Sequence, residues 1–189
     1  MILPIYPYGN PVLRAECEDI TGDTPELQQL IEDMIETMHG ASGIGLAAPQ
    51  IGKNLHLFVV DISHLEEDYE KDEGQPFPEL WKNPIVFINP EITDESETLS
   101  DFEEGCLSIP DIREVVTRPT EVQIRFLDRH FKAHDWRVDR LLARVIQHEY
   151  DHIEGILFVD HLSAFKRRML RRKLQEIARG NIETDYKML

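Results

Sequence analysis

The sequence predicts an α+β fold, and three observations carry that reading. Residues 25–40 repeat apolar side chains at helical spacing, stretches between 55 and 138 run apolar or alternate as strands do, and the segment between Asp139 and Gly155 returns to a helical pattern. Strands gathered in one block with helices at its borders fit α+β rather than a regular strand-helix alternation. At 189 residues the chain is long enough for one domain with a substantial core. We read 1–189 as that single domain, with an acidic surface insertion over 63–82 and a basic C-terminal helix over 163–179.

In chain order, residues 1–23 are extended and loop-rich, since Pro4, Pro7, Gly9 and Pro11 interrupt any helix. Thr24 then caps a helix with Pro25 in its first turn, where the missing N–H costs nothing. Leu27, Leu30, Ile31, Met34, Ile35 and Met38 share one stripe, which Gly40 ends; the methionines read as core filling rather than ligands. Gly43-Ile44-Gly45-Leu46-Ala47-Ala48-Pro49-Gln50-Ile51-Gly52 is a loop of small residues that a ligand or another segment can approach closely. It lacks both the lysine-serine or lysine-threonine pair and the G-x-G-x-x-G spacing of nucleotide-binding loops.

Residues 55–62 form a buried strand. Over 63–82, Glu66, Glu67, Asp68, Glu70, Asp72, Glu73 and Glu79 face a single Lys71 up to Trp81, with Pro76 and Pro78 nearby, which reads as a solvated surface loop. Strands resume over 85–89 and around 93–99. Glu121–Leu127 alternates, with Val122, Ile124 and Phe126 on one side, and residues 131–138 partner it through a turn at Asp128-Arg129. Leu141, Leu142, Val145 and Ile146 bury one face of the next helix, with Asp139 placed to cap it and Gly155 to close it in a left-handed conformation. The last helix turns Phe165, Met169, Leu170, Leu174 and Ile177 inward and carries Lys166, Arg167, Arg168, Arg171, Arg172, Lys173 and Arg179 outside.

Composition excludes several classes. A formal charge of −16 argues against sequence-independent binding of DNA over the whole surface. Cys17 and Cys106 are too few for a disulfide scaffold and suit a reducing compartment. No apolar run is long enough for a membrane span, and Met1-Ile2-Leu3-Pro4 does not open a secretory signal, so we expect a cytoplasmic protein away from membranes.

The chemistry concentrates in Gln147-His148-Glu149-Tyr150-Asp151-His152. At about 3.6 residues per turn, His148 and His152 leave the helix on one face and can grip one metal ion. Glu149 reaches a water on that ion without taking a coordination position, as a hydrolytic general base must. A bare H-E-x-x-H also arises by chance, but the apolar run before it sets these histidines at the edge of a core. Catalytic metal sites keep three protein ligands, and the helix supplies two. The position of a third histidine in one large group of metalloproteases falls on Phe158, and the downstream glutamates are Glu176, within the basic helix, and Glu183. Cys106, in Glu103-Glu104-Gly105-Cys106-Leu107-Ser108, is the better candidate.

Gly43-Ile44-Gly45-Leu46-Ala47-Ala48-Pro49-Gln50, Glu104-Gly105-Cys106-Leu107-Ser108 and Gln147-His148-Glu149-Tyr150-Asp151-His152 together resemble the three signature motifs of peptide deformylases, in the same order. The likeness runs from Asn10-Pro11-Val12-Leu13-Arg14 to the C-terminal helix, with Ile153 where leucine is commoner and a long acidic stretch at 63–82 as departures. The resemblance implies mixed or antiparallel sheets around a central metal-bearing helix, and a metal-dependent hydrolase that removes the formyl group from the N-terminal formyl-methionine of new polypeptides. It implies Cys106, His148 and His152 as metal ligands and Glu149 as acid and base. It gives Gln50 and the Leu107 N–H as holders of the formyl oxygen, Ile44 and Gly45 as lining of the substrate, and Arg113 as a neighbour of the bound peptide. It points to Fe(II) as native ion, with zinc, nickel and cobalt also suiting the donors.

Physically, an ion held by one thiolate and two neutral imidazoles stays positive and brings its bound water to a pKa of roughly 7, so that hydroxide attacks the formyl carbon while Glu149 carries the proton. A metallopeptidase would share the helix but should show a recognised third ligand, and a structural metal module would close its site with four. The implied partners are formyl-methionyl nascent peptides. Because these emerge from the ribosome, ribosomal RNA is a further partner for the basic helix, whose plain reading is a solvated outer face.

Overall fold

The computed structural model describes residues 1–74 and 76–189, and the α+β architecture is present. Helix α1 (Pro25–Gly40) starts as expected, with the Thr24 hydroxyl accepting from Leu27 N–H at 3.2 Å. Gly40 is its last residue rather than a left-handed cap; the chain reverses at Ser42, whose φ is 54°. Leu27, Ile31, Met34 and Met38 are buried.

Five strands form an antiparallel sheet in the order β1-β2-β3-β6-β7: β1 (Gly45–Ala47), β2 (Leu57–Val60), β3 (Ile85–Glu95), β6 (Glu121–Leu127) and β7 (Ala133–Asp139). Strand β2 is buried on both faces. Phe58 and Val60 pack with Phe87 and with Leu142, Val145 and Ile146, while Leu57 and Val59 pack with Ile31, Met34 and Met38. The sheet is therefore sandwiched between α1 and α3 (Arg140–Ile153), which is why a period of two is invisible in β2 and only its apolar run shows.

Several expectations change. The Gly43–Gly52 stretch is not a plain loop, for it contains β1 and a 3₁₀ turn at Ala48–Ile51. The separate strand expected near 93–99 does not exist: residues 93–95 finish β3, and β4 (Leu99–Cys106) begins beyond a turn. Strand β3 runs on past Pro90 by bulging, with Asn89 at φ 47° and its side chain bonded to both backbone groups of Ile20 at 2.8 Å. Residues 63–82 hold helix α2 (Glu66–Glu73) and two 3₁₀ turns, with Tyr69, Phe77 and Trp81 meeting edge to face at 5.4–5.9 Å against the core. Gln75 of that stretch lies outside the described residues.

Strand β4 pairs with β5 (Ile109–Pro119) in a separate two-stranded sheet. Asp139 holds the N-cap position of α3 without a side-chain capping bond, and Gly155 closes that helix at φ 72°. Helix α4 (Ala164–Ala178) is capped by Ser163 and buries Leu174 and Ile177 with Leu170 half-buried. Phe165 and Met169, expected inside, are 72% and 70% exposed. They fall roughly 130° around the helix from the buried trio. Among the described residues no helix is long and apolar enough to cross a membrane.

Candidate active site

The end of β4, the edge strand β1 and the middle of α3 meet at one point. Helix α3 sets His148 and His152 one turn apart with ring centroids 5.1 Å from each other, and the β4 end brings Cys106 to them. One ligand atom from each of Cys106, His148 and His152 lies within 4.8 Å of the others. The Cys106 Sγ is 3.2 Å from Nε2 of His152. Nδ1 of His148 is committed to Glu104 at 2.8 Å, which leaves Nε2 as the ring nitrogen turned to the donor cluster and Cys106. Burial acts to lower both imidazoles: contacts with Cys106 and Glu104 overcome it and carry His148 well up, while at His152 burial prevails and the His148 charge adds to it. One thiol and two imidazoles converging at the edge of a core form a donor set that fits a borderline divalent ion. Phe158 stacks on the His148 ring at 6.0 Å as a wall, in keeping with its poor chemistry as a ligand.

Behind the histidines lies a buried ionic network that the sequence reading did not assemble. Glu104, 4% exposed, accepts from Arg118 Nε at 2.7 Å and Nη2 at 3.0 Å, and from Arg144 Nη1 at 3.0 Å. Arg118 continues to Asp151 at 2.8 Å, which His161 also meets at 2.7 Å. Burial alone would lift the Glu104 carboxyl, but His148 and Arg118 outweigh it and hold the group far below the usual carboxylate range. The available signal was Arg144 inside the apolar run 141–146, since a charge on a buried helix face requires a partner.

Glu149 is 4% exposed and its Oε2 has no hydrogen-bond partner among the described residues. Burial pushes its carboxyl up to about 7. Gly45 is what leaves room for it: a Cβ there would sit 2.3 Å from Glu149 Oε1. Gln50, 2% exposed, accepts from Ala47 N–H at 2.9 Å, so its Nε2 is directed to Ser108 Oγ at 3.2 Å and Cys106 Sγ at 3.5 Å. Leu107 occupies the turn between β4 and β5. Arg113 lies on the rim, 61% exposed, bonded to the Glu103 carboxylate and carbonyl at 3.2 Å.

A cavity of about 1280 Å³ opens here, lined by Ile44, Gly45, Gln50, Cys106, Leu107, Arg113, His148 and Glu149. Of the nominated residues His152 alone does not line it, being 1% exposed beneath. The opposite wall comes from the tail after α4, including Ile182, Thr184 and Tyr186, which no sequence pattern had flagged.

Comparison with known proteins converges on one family. The family model described as polypeptide deformylase matches residues 2–168. The peptide deformylase of Salinibacter ruber is 49% identical over 189 residues, covering 100% of this chain and 95% of that protein. The peptide deformylase of Christiangramia forsetii is 47% identical over 188 residues, with 100% and 95% covered. Among solved structures, a peptide deformylase from Legionella pneumophila superposes with a TM-score of 0.80 at 40% identity, covering 96% of this chain and 98% of that one. One from Ehrlichia chaffeensis gives 0.82 at 31%, covering 96% and 99%.

Proposed function

The chain belongs to the polypeptide deformylase family and is a hydrolase that removes N-formyl groups, and we propose that it does so with a divalent ion on Cys106, His148 and His152 and with Glu149 as its acid and base. The observation that carries this reading is the buried Glu149 carboxylate, with its Oε2 unpartnered among the described residues, beside three converging donor side chains at a cavity. An ion held there supplies Lewis acidity, acidifying a water and polarising the formyl carbonyl.

The chain's own groups do the rest. Glu149 takes a proton from the attacking water and returns it to the amine nitrogen as the C–N bond breaks, leaving formate and a free N-terminus. Its carboxyl, lifted to about 7 by burial, is matched to both halves of that transfer near neutrality. Gln50 Nε2 and the Leu107 N–H stabilise the formyl oxygen as it gains charge, with Gln50 held by its bond to Ala47. Glu104 fixes the tautomer of His148. Ile44 and Gly45 line the peptide, and Arg113 meets it at the rim. The direct test is formate release from a formyl-methionyl peptide together with metal content. Protein with full metal and no formate release would overturn the reading.

We take Fe(II) as the native ion, with zinc, nickel and cobalt as ions the same donors accept. Iron is tested by aerobic half-life, since Fe(II) and the Cys106 sulfur are both oxidisable. Iron-loaded protein is expected to decay faster than nickel-loaded protein, and equal half-lives would remove iron.

The place of action is the cytoplasm, where nascent formyl-methionyl peptides emerge, and α4 is the proposed ribosome contact. Lys166 is drawn to Glu114 at 3.0 Å and Arg179 to Glu176 at 3.3 Å, but Arg167, Arg168, Arg171, Arg172 and Lys173 stand exposed near Phe165 and Met169. Reversing several of these charges should weaken co-sedimentation with ribosomes and reduce its salt dependence. Unchanged co-sedimentation at low salt would leave α4 a solvated helix.

A further inference from the structure

The turn that joins β4 to β5 is short and poorly fixed by its own sheet. The register slips between Gly105, opposite Arg113, and Cys106, opposite Ile109, so Leu107 and Ser108 sit in a bulged end beyond the regular ladder. Their carbonyls are held from elsewhere. Tyr186, 79 residues on, donates its hydroxyl to Leu107 O at 2.7 Å, and Tyr8 N–H donates to Ser108 O at 2.8 Å. Gln50, the other proposed holder of the formyl oxygen, has its carbonyl bonded to Tyr6 N–H at 2.8 Å.

These anchors belong to one brace. Ile5 N–H donates to Lys187 O at 2.9 Å and Ile5 O accepts from Leu189 N–H at 3.1 Å, joining the tail to the N-terminal segment as a parallel bridge. The brace is bonded to both segments that bear the proposed formyl-oxygen donors. Tyr186 packs its ring partly into the core made by α1 and β2, so only its hydroxyl is committed to the turn. Burial, with the charges of Cys106 and Asp111 adding to it, pushes the phenol up to about 12, which keeps the hydroxyl a donor.

Geometry decides what that bond does. The Leu107 carbonyl belongs to the 107–108 peptide plane and the Leu107 N–H to the 106–107 plane, and only φ and ψ of Leu107 lie between them. Pinning the first plane at Leu107 O, with Cys106 held at the donor cluster, restricts where the second can point. We propose that Tyr186 is a positioning residue for deformylation: its hydroxyl, by holding Leu107 O, aims the Leu107 N–H at the formyl oxygen, so the C-terminal tail is part of the active site's frame. The proposal rests on Leu107 N–H acting as an oxyanion donor in the reaction described above.

The test is Tyr186→Phe, which keeps the ring and removes the hydroxyl, studied well below its unfolding midpoint. In the substrate-free protein, the Leu107 N–H residual dipolar coupling, which reads the direction of that bond, should shift from its wild-type value, while the α3 couplings keep theirs. With formyl-methionyl peptide, kcat should fall about 3- to 30-fold, less than the roughly 10²–10³-fold cost of deleting such a donor, with KM within about twofold. An unchanged coupling at Leu107, an unchanged kcat, or a loss accounted for by lost metal would each overturn the proposal. Wild-type protein that releases no formate would instead overturn the deformylase mechanism, and the comparison of couplings, which needs no substrate, tells the two failures apart.

Discussion

A carboxylic acid with one oxygen unpartnered, and with burial lifting its pKa to about 7, can exchange a proton near neutral pH with little penalty either way. Glu149→Ala removes that exchange and none of the proposed ligands, so metal content should hold while formate release falls at least about 10²–10⁴-fold. Undiminished turnover per bound metal would exclude Glu149 from the proton transfer. Glu104 has a different kind of weight. Its folded-state carboxyl is held far below its unfolded value, so it contributes stability that is fully present above the unfolded pKa of about 4.3 and lost as pH falls below it toward the folded value. We expect the wild type to weaken progressively under acid below about pH 4. Glu104→Gln should cost about 3–5 kcal/mol at pH 7, because Arg118 and Arg144 stay buried while the carboxylate charge they share is lost and only Arg118 keeps another, Asp151, and should flatten the acid limb. Denaturant titrations at both pH values check this, and parallel acid limbs would clear Glu104 of the effect. The sequence displayed the two histidines and Glu149 because a helix keeps them within one turn. It hid the Glu104 network because Arg118 and Arg144 come from 14 and 40 residues away, with no periodicity to announce them.

Strand β1 shows how three residues can serve a site. Gly45 lies on the sheet edge against α3, and its missing Cβ is the space that the Glu149 carboxylate fills. Gly45→Ala should therefore overpack the contact by about 1–3 kcal/mol and displace Glu149, lowering kcat more than thermal stability suggests. A wild-type kcat in this variant would mean that the carboxylate has room to retreat. So short a strand, between glycines, reads as a loop from sequence. Strands β4 and β5 were missed for another reason: β4 is exposed over most of its length, and β5, although its burial alternates, sets Glu114 and Arg118 on its inner side and Val115 on its outer one, so no apolar alternation survives in the sequence. Helix α2 has no apolar stripe, and its attachment comes from Tyr69 and from Phe77 and Trp81 beyond its end. Phe77 is 4% exposed, so Phe77→Ala should cost about 3–5 kcal/mol. An unshifted unfolding midpoint would restore the solvated loop that the acidic composition suggested. By contrast α1 and β6 were legible, since each buries one face and its period survives in the sequence, and α3 was legible from its histidine spacing and apolar run although residues 142–149 are buried all round.

At the scale of the whole molecule, the β4–β5 hairpin is a separate sheet, tied to the rest by the Glu104 network, by apolar contacts of β5 with α4, and by the convergence of Cys106 with α3. An ion on Cys106, His148 and His152 would cross-link that hairpin to the central helix, so its binding free energy should be expressed as stability of the joined structure. For an ion at 100 times its dissociation constant the stabilisation is about 2.7 kcal/mol, and at 1,000 times about 4.1 kcal/mol. Removing it with a chelator should lower the unfolding midpoint and speed amide exchange in β4 and β5 before α1, which carries none of the three ligands. Two variants sharpen the test without relying on activity. Glu149→Ala keeps all three donors and should lose as much stability to the chelator as wild type does. Cys106→Ser should lose little, because a hydroxyl stays protonated where a thiol ionises and the ion is then weakly held from the start. A midpoint indifferent to chelation in metal-loaded wild type would remove the three-residue site, and a full chelator effect in Cys106→Ser would remove the sulfur from it while leaving the two histidines.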